Sequence, residues 1–397
     1  MQKITHRFRL YPSKQTEAKM LETLDICKQT YNVLLAELNN HKVIDKAQIQ
    51  GILPDMKICD SKFRKVYSKT LQYECYRLFS NLSALVKTKQ KGRKVGRLRF
   101  KGKNWFKTFT YNQSGFKIIK TGKRCQTLHL SKIGEIPIRC HRNIKGNIKQ
   151  ITIKREASGK WFASVMEERE NNINKQPINK VVGIDLGLTD VVYDSDGKQI
   201  SNPRHLKKQA EKLAFLQRKM SNKKKRSNNR NKWRIRLARQ YEKLANTRDD
   251  FLHKISRHYV NSYDAIAMED MPIINMVYNK RLAKHILDAS WGRFRQFVSY
   301  KAESAGKLYM PVDYRGTTQR CSQCGAKVKK ELWDREHKCE CGFEVPRDYN
   351  SALEIKRLCL QKIGQELSKS TPVEMLALPH QRQPASLKQE DPCESRG

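Results

Sequence analysis

Two apolar runs in this chain each end on a carboxylate. VVGID (181–185) closes on Asp185, and AIAME (265–269) closes on Glu269. An acid inside an otherwise apolar strand is costly to bury unless it is paired or coordinated. The fold must therefore supply partners or bring such acids to a common polar place. A third acid, Asp348, opens an apolar helical pattern, DYNSALEIKRLCL. Each acid has a plainer reading by itself: Asp185 as a turn former, Glu269 with Asp270 as a solvated strand exit, Asp348 as a helix N-cap. Together, in this order, they suit phosphodiester cleavage, in which converging carboxylates hold two Mg²⁺ ions about 4 Å apart. Mg²⁺ favours oxygen ligands and retains water, so few protein ligands suffice. Nearby, Asp194 and Asp196 read as turn residues of DSDG, and Asp190 is open.

The cysteines point to a second site. Cys321 and Cys324 form a CxxC pair, and after fourteen intervening residues Cys339 and Cys341 form a CxC pair. Four thiolates at such spacing make a tetrahedral structural Zn²⁺ site. His337 lies two residues before Cys339 and could replace one thiolate; reduced cysteines without metal are the bland alternative. Gly325 and Gly342 follow the pairs, as knuckle turns require. The chain has eleven cysteines, an odd number, unevenly spread. A reducing, cytoplasmic setting with one metal site fits this better than a disulfide framework.

Charge narrows the partners. Lys and Arg number 81 against 39 acids, a net charge of +42 over 397 residues. Self-repulsion of that size gains a fold nothing, so a polyanion is the natural partner. No apolar run approaches the roughly 20 residues that span a bilayer, and MQKITHRFRLYP lacks the apolar stretch of a secretory signal.

The pattern along the chain is mixed. KITHRFRL alternates as a half-buried strand does, and Met20, Leu24, Cys27, Tyr31, Leu34 and Leu38 mark one helix face with Ser13 as N-cap. A second helix is predicted over about 63–85. Lys87–Lys103 carries nine basic residues and no acid and reads as a basic loop. LHLSKIGEIPIRC, IKQITIK and KWFASVM read as strands, the last two joined by REASG. Residues 172–177 look like a linker. VVGID is a buried strand with an antiparallel neighbour, and 205–262 hold two long helices, with eleven basic residues between Arg218 and Arg239. A strand at AIAMED, one helix over LAKHILDASWGRFRQFVSYKAESA and a strand at KLYMPVD precede the cysteines. After about Gly364 four prolines crowd a tail expected to be disordered.

GIDLG, AMEDM, ASWGRFRQFVSYKAE, TTQRCSQCG and CGFEVPRDYNSAL resemble the TnpB family, transposon-encoded proteins of the IS200/IS605 group that resemble compact type V CRISPR effectors. KITHRFRLYPSKQTEAKM and LSKIGEIPIRCHRNIKGNIKQITIKREASGKWFASV extend the resemblance over roughly residues 1–365. It implies a multidomain α+β chain. An oligonucleotide-binding-type wedge barrel would occupy 1–12 and 104–174, interrupted by a helical recognition insertion at 13–103. An RNase H-like (RuvC) nuclease domain would occupy 175–315 and 346–365, with a zinc ribbon for target nucleic acid at 316–345 and the tail at 366–397. It implies an RNA-guided DNA endonuclease that carries a noncoding guide RNA and cuts double-stranded DNA beside a short adjacent motif. Target sequence is then read by base pairing with the guide. By resemblance Asp185, Glu269 and Asp348 are the Mg²⁺-binding catalytic acids, and Cys321, Cys324, Cys339 and Cys341 the Zn²⁺ ligands. The CxC half departs from the family's more frequent CxxC and leaves the ligand set open. Lys91, Arg93, Lys94, Arg97 and Arg99 in one basic stretch, and Lys223, Lys224, Lys225 and Arg226 in the other, are candidates for phosphate contact, which gives affinity without sequence information. One protein per RNA is the simplest assembly, with oligomers open. A guided DNA-binding regulator without cleavage is a second class, disfavoured because all three acids are present. A transposase is a third, since three acids also serve strand transfer.

Overall fold

The computed structural model describes residues 2–40, 45–120, 126–170, 177–331 and 333–370. The linker expected at 172–177 falls almost wholly outside them, as does the tail beyond Ser370. The chain divides into two compact units, Met1–Asn174 with Arg204–Phe251, and Lys175–Pro203 with Leu252–Gly397.

The first unit begins with β1 (Gln2–Leu10), followed by α1 (Lys14–Asn40), α2 (Lys46–Cys59), a 3-10 turn (Ser61–Lys65) and α3 (Ser68–Gln90). Ser13 caps α1, its Oγ accepting from Thr16 N–H at 3.2 Å. The helix predicted over 63–85 starts later, at Ser68, because the 3-10 turn occupies its first residues. α2 was not foreseen: Gly51 and Pro54, both helix breakers in isolation, lie inside it. Buried Ile49, Leu53 and Met56 outweigh them by joining the core.

Six strands follow: β2 (Thr108–Asn112), β3 (Phe116–Lys120), β4 (Gln126–Leu130), β5 (Gly134–Arg139), β6 (Asn147–Arg155) and β7 (Trp161–Arg169). They join β1 in a seven-stranded antiparallel sheet ordered β2-β6-β7-β1-β5-β4-β3. The sheet curls into a near-closed barrel: Tyr111 on one edge strand donates its hydroxyl to the Ser131 carbonyl just past β4, at 2.6 Å. Phe8, Leu10, Tyr111, Ile153 and Trp161 from the barrel share one core with Tyr31 and Leu34 of α1 and Leu71 and Leu78 of α3. α4 (His205–Ser221) and α5 (Asn228–Ser262) pair through Leu213, Leu216, Leu237 and Leu244. Arg230 Nη1 donates to the Met220 and Lys223 carbonyls at 3.0 and 3.1 Å, closing the basic turn between them.

The second unit is built on β8 (Val181–Asp185), β9 (Asp190–Asp194), β10 (Gln199–Ser201), β11 (Ala265–Glu269) and β12 (Leu308–Val312). Their order is β10-β9-β8-β11-β12; β8, β11 and β12 are parallel, while β9 runs against β8 and β10. The expected strand with an antiparallel neighbour is therefore found, flanked on its other side by a parallel one. α6 (Ile273–Met276), α7 (Lys280–Ala289) and α8 (Trp291–Ser304) connect β11 to β12. One helix was predicted across α7 and α8; Ser290, at φ 56 and ψ 39, breaks it. β13 (Glu336–Lys338) and β14 (Glu344–Pro346) form a hairpin, and α9 (Arg347–Ser370) packs Ile355 and Cys359 against Val181, Ala265 and Ala267. α9 carries five residues of the expected tail in helix. No helix among the described residues is long and apolar enough to cross a membrane.

One buried acid gives the first unit a pH signature. Glu74 on α3 is fully buried with Arg77 Nη1 3.2 Å away, and burial pushes its carboxyl up to about 8. The folded state thus holds a proton that the unfolded chain releases above about 4.5. This contribution to stability is fully present below that pH and is lost as pH rises through about 8. Glu74→Gln is expected to gain stability over the parent as pH rises from 5 to 8, by up to roughly 1.4 kcal/mol per pH unit. Urea unfolding of both proteins at matched pH values checks this, and parallel pH profiles would contradict it.

Candidate metal and nucleic-acid sites

Asp185 and Glu269 are the last residues of adjacent parallel strands. The register pairs Met268 with Ile184, so each carboxylate follows by one residue and both emerge at the carboxyl end of the sheet. That end is where ligands bind in parallel α/β sheets, because the loops there open a crevice. Asp348 stands on the first turn of α9, partly exposed and 3.7 Å from Arg347 Nε, near enough for its charge to act on Asp185. α9 can lie so close to β8 because Gly183 has no side chain: a Cβ there would stand 2.1 Å from the Ala352 carbonyl oxygen and 2.5 Å from Lys356 N. Asp348 lies one turn before Ala352.

The electrostatics centre on Asp185, which feels both other acids. The Asp185 carboxyl is buried and held well above the usual carboxylate range, first by desolvation and then by the charges of Glu269 and Asp348. Burial likewise raises Glu269. The Leu186 N–H and the Arg347 charge oppose the shift at Asp185 without offsetting it. Two buried carboxyls at neighbouring strand ends, Asp185 and Glu269, are a fit for bound cations, which would restore the ionised forms.

The strand ends are braced by residues that sequence reasoning passed over. Trp291, the first residue of α8, donates Nε1–H to the Gly187 carbonyl at 3.1 Å. One turn on, Arg295 donates Nη1–H to the carbonyls of Glu269 and Met271 at 3.2 and 3.1 Å, and Nη2–H to Asp270 Oδ1 at 2.7 Å. Asp270 is thus ion-paired beside Glu269. The break at Ser290 sets the start of α8, from which Trp291 makes its bond. Thr317 Oγ1 donates to Glu269 Oε1 at 2.5 Å. The signal for these residues was their place inside ASWGRFRQF and TTQRCSQCG. Asp194 is more than a turn former: fully buried, it accepts from Asp196 N, Lys198 N and the Tyr259 hydroxyl. Asp190 accepts from Ser201 Oγ.

At the cysteines, the ligand atoms of Cys321, Cys324, Cys339 and Cys341 all lie within 4.8 Å of one another. Cys321 and Cys341 sulfurs are 3.8 Å apart, and those of Cys324 and Cys339 3.5 Å. A tetrahedron with metal–sulfur bonds of about 2.3 Å requires sulfur separations of about 3.8 Å, so the set fits a four-coordinate ion. The Ala326 N–H, chiefly, draws the Cys324 thiol down to about 7, within reach of the thiolate a metal needs. His337 stands outside this group: its ring is buried, Nδ1 accepts from Lys330 Nζ at 2.5 Å, and desolvation with the Lys330 charge holds its pKa below the ordinary value.

Lys91, Arg93, Lys94, Arg97 and Arg99 are all exposed, in a stretch without regular structure. Lys101 ends it, bonded in both directions to Asn32 on α1 at 2.7 and 3.0 Å. Phe100 and Trp105 beside it are 59% and 65% exposed, aromatic faces of the kind on which bases stack. Lys224, Lys225 and Arg226 are exposed and Lys223 half-buried in the α4–α5 turn.

The arrangement is that of a Cas12f-like α+β protein with a near-closed barrel and a four-cysteine cluster. The OrfB_IS605 family, described as "Probable transposase", matches residues 164–280, and the "Cas12f1-like, TNB domain" family matches 291–355. The helix-turn-helix domain of the OrfB_IS605 group matches 1–41, where the described residues form β1 and the single long helix α1. A Streptomyces pristinaespiralis protein named "Putative RNA-guided DNA endonuclease" is 30% identical over 88% of this chain and 87% of its own length. The Escherichia coli K12 protein of the same description, InsQ, is 28% identical over 88% and 90%. A solved Cas12f1–sgRNA–target DNA complex has the same fold at TM-score 0.57 and 14% identity, over 87% of this chain and 83% of that one. The mini-RNA-guided endonuclease CRISPR-Cas_phi3 gives 0.54 at 11% identity, over 90% and 92%. This chain belongs to the TnpB (OrfB_IS605) family.

Gly183→Ala tests the close approach that places Asp348. It is expected to cost about 1–3 kcal/mol, the usual range for overpacking, and to raise hydrogen exchange in the first turns of α9. An unchanged exchange pattern would contradict the account.

Proposed function

We propose that this protein is an RNA-guided DNA endonuclease that cuts double-stranded DNA beside a short adjacent motif, using one site made of Asp185, Glu269 and Asp348. The observation that carries the reading is the pair of buried carboxyls, Asp185 and Glu269, ending adjacent parallel strands, with the charge of Asp348 felt at Asp185. The β9–β8 antiparallel pair continued by parallel β11 and β12 is the strand plan of RNase H-like nucleases, and the seven-stranded barrel with its helical insertion suits a wedge and recognition module. The net charge of +42 suits a long guide RNA and a DNA duplex.

In this reading Asp185, Glu269 and Asp348 hold two Mg²⁺ ions, which supply an activated water and stabilise the leaving oxygen when bound. The protein's own contribution is placement. Thr317 fixes which Glu269 oxygen is free to ligate, Arg295 holds the backbone behind it, and Gly183 lets α9 deliver Asp348. The four cysteines hold a structural Zn²⁺, since a closed thiolate set leaves no position for reacting water. The exposed basic residues grip phosphates of the guide RNA and of its duplex with target.

Asp185→Ala is expected to lower the rate of cleavage of a matched duplex by roughly 10²–10⁴-fold, the scale of several kcal/mol of transition-state charge stabilisation. Guide-RNA binding in a filter assay is expected to stay unchanged. Parental cleavage rates in the variant, or no cleavage by the parent with its own RNA in Mg²⁺ across a library of adjacent motifs, would refute the reading. Replacing Lys223, Lys224, Lys225 and Arg226 together with Ala is expected to weaken RNA binding evenly across sequences. The slope of log affinity against log salt should flatten by about 0.7 for each lost single-strand phosphate contact.

A further inference from the structure

The segment from Thr317 to Ser322 touches two of the three acid-bearing elements, β11 and α9, within six residues. At its start, buried Thr317 shares its hydroxyl proton between Glu269 Oε1 at 2.5 Å and the Tyr314 carbonyl at 3.1 Å. At its end stands Asn350, fully buried on α9 two residues after Asp348. Its Nδ2 donates to the Arg320 carbonyl at 2.8 Å, and its Oδ1 accepts from the Ser322 N–H at 3.0 Å. These two bonds bracket Cys321, a fully buried member of the cysteine cluster. Arg320 also faces Glu354, one turn further along α9, at 3.9 Å.

An amide bonded through both its donor and its acceptor has its plane and orientation fixed. The backbone around Cys321 and the first turn of α9 are therefore held to each other by one rigid group. A metal on the cysteine cluster would place the Cys321 sulfur at about 2.3 Å from the ion and remove the freedom of residues 320–322. That constraint would pass through Asn350 to the turn bearing Asp348, and back along the segment through Thr317 to Glu269.

We propose that Thr317 and Asn350 are positioning residues that couple metal loading of the cysteine cluster to divalent-ion binding at the carboxylates. The proposal rests on the nuclease reading of those acids and adds that the knuckle is part of their support. Two independent local braces would instead stabilise each site separately, with no communication between them.

The test measures Mn²⁺ binding to the full-length protein with its guide RNA and no DNA, by electron paramagnetic resonance. Parent, Asn350→Ala and Thr317→Ser proteins are each compared with the cysteine metal present and after its removal by a chelator. Thr317→Ser keeps the hydroxyl that bonds Glu269, which guards against a variant that fails to fold. Loss of an outer-shell partner typically weakens metal binding 10–100-fold. Removing the cysteine metal from the parent is expected to weaken Mn²⁺ binding about tenfold. Asn350→Ala is expected to do the same with the metal in place, and stripping that variant is expected to add little. Such non-additivity is the mark of a shared path. Release of the cysteine metal to a colorimetric chelator is expected to quicken in Asn350→Ala. Thr317→Val is expected to weaken Mn²⁺ binding and Thr317→Ser to restore it. Stripping and Asn350→Ala that act additively, or Mn²⁺ affinity indifferent to both, would overturn the coupling while leaving the nuclease reading standing. A parent that binds no Asp185-dependent Mn²⁺ would overturn both.

Discussion

The close approach of α9 to β8 at Gly183 is the constraint on which the second unit depends. A helix normally stands off from a sheet by the depth of the side chains between them. Here the Ala352 carbonyl occupies the space a Cβ would need, so the helix sits a side chain closer than usual at that point. That depth places Asp348 over the ends of strands that already carry Asp185 and Glu269. The apolar interface beneath, with Ile355 and Cys359 against Val181, Ala265 and Ala267, supplies the attraction that holds the helix down. Asp185 at the top opposes it, since a buried carboxyl facing two other acids is unfavourable.

The bracing around that site is largely made of hydrogen bonds to backbone carbonyls and to one carboxylate oxygen. Trp291 and Arg295 hold backbone carbonyls at the ends of β8 and β11, Thr317 holds one carboxylate oxygen, and Asn350 holds the knuckle to α9. Arg295 spends its charge on Asp270, outside the cluster, so the positive side chain beside Glu269 does not neutralise the acids. Elsewhere the large positive excess lies on exposed stretches such as Lys91–Arg99 and Lys224–Arg226. Repulsion there is tolerated at the surface and offset when a polyanion binds.

Where local patterns predicted elements well, one physical cause acted alone. The helix face from Met20 to Leu38 and the alternation of β1 are buried as their periodicity implied. Where the reading failed, two causes competed. Gly51 and Pro54 argue locally against a helix, yet α2 forms because three apolar side chains reach the shared core. The apolar pattern of LAKHILDASWGRFRQF is continuous, yet Ser290 turns left-handed to part α7 from α8. Gly292, two residues on, is a poor helix former, but a single glycine is also tolerated inside a helix and so does not by itself mark a break.

The sequence by itself determined which residues are chemically out of place in their surroundings. A carboxylate at the end of an apolar run, or cysteines paired at knuckle spacing, is anomalous enough to be read without neighbours. Only the tertiary structure decided what holds them. Gly183 is required by a helix more than 160 residues later, Thr317 meets an acid 48 residues earlier, and Asn350 grips a backbone 30 residues back. Hydrogen bonds and steric contact act over a few ångströms in space, whatever the separation along the chain, so these partners come into being only when the fold closes.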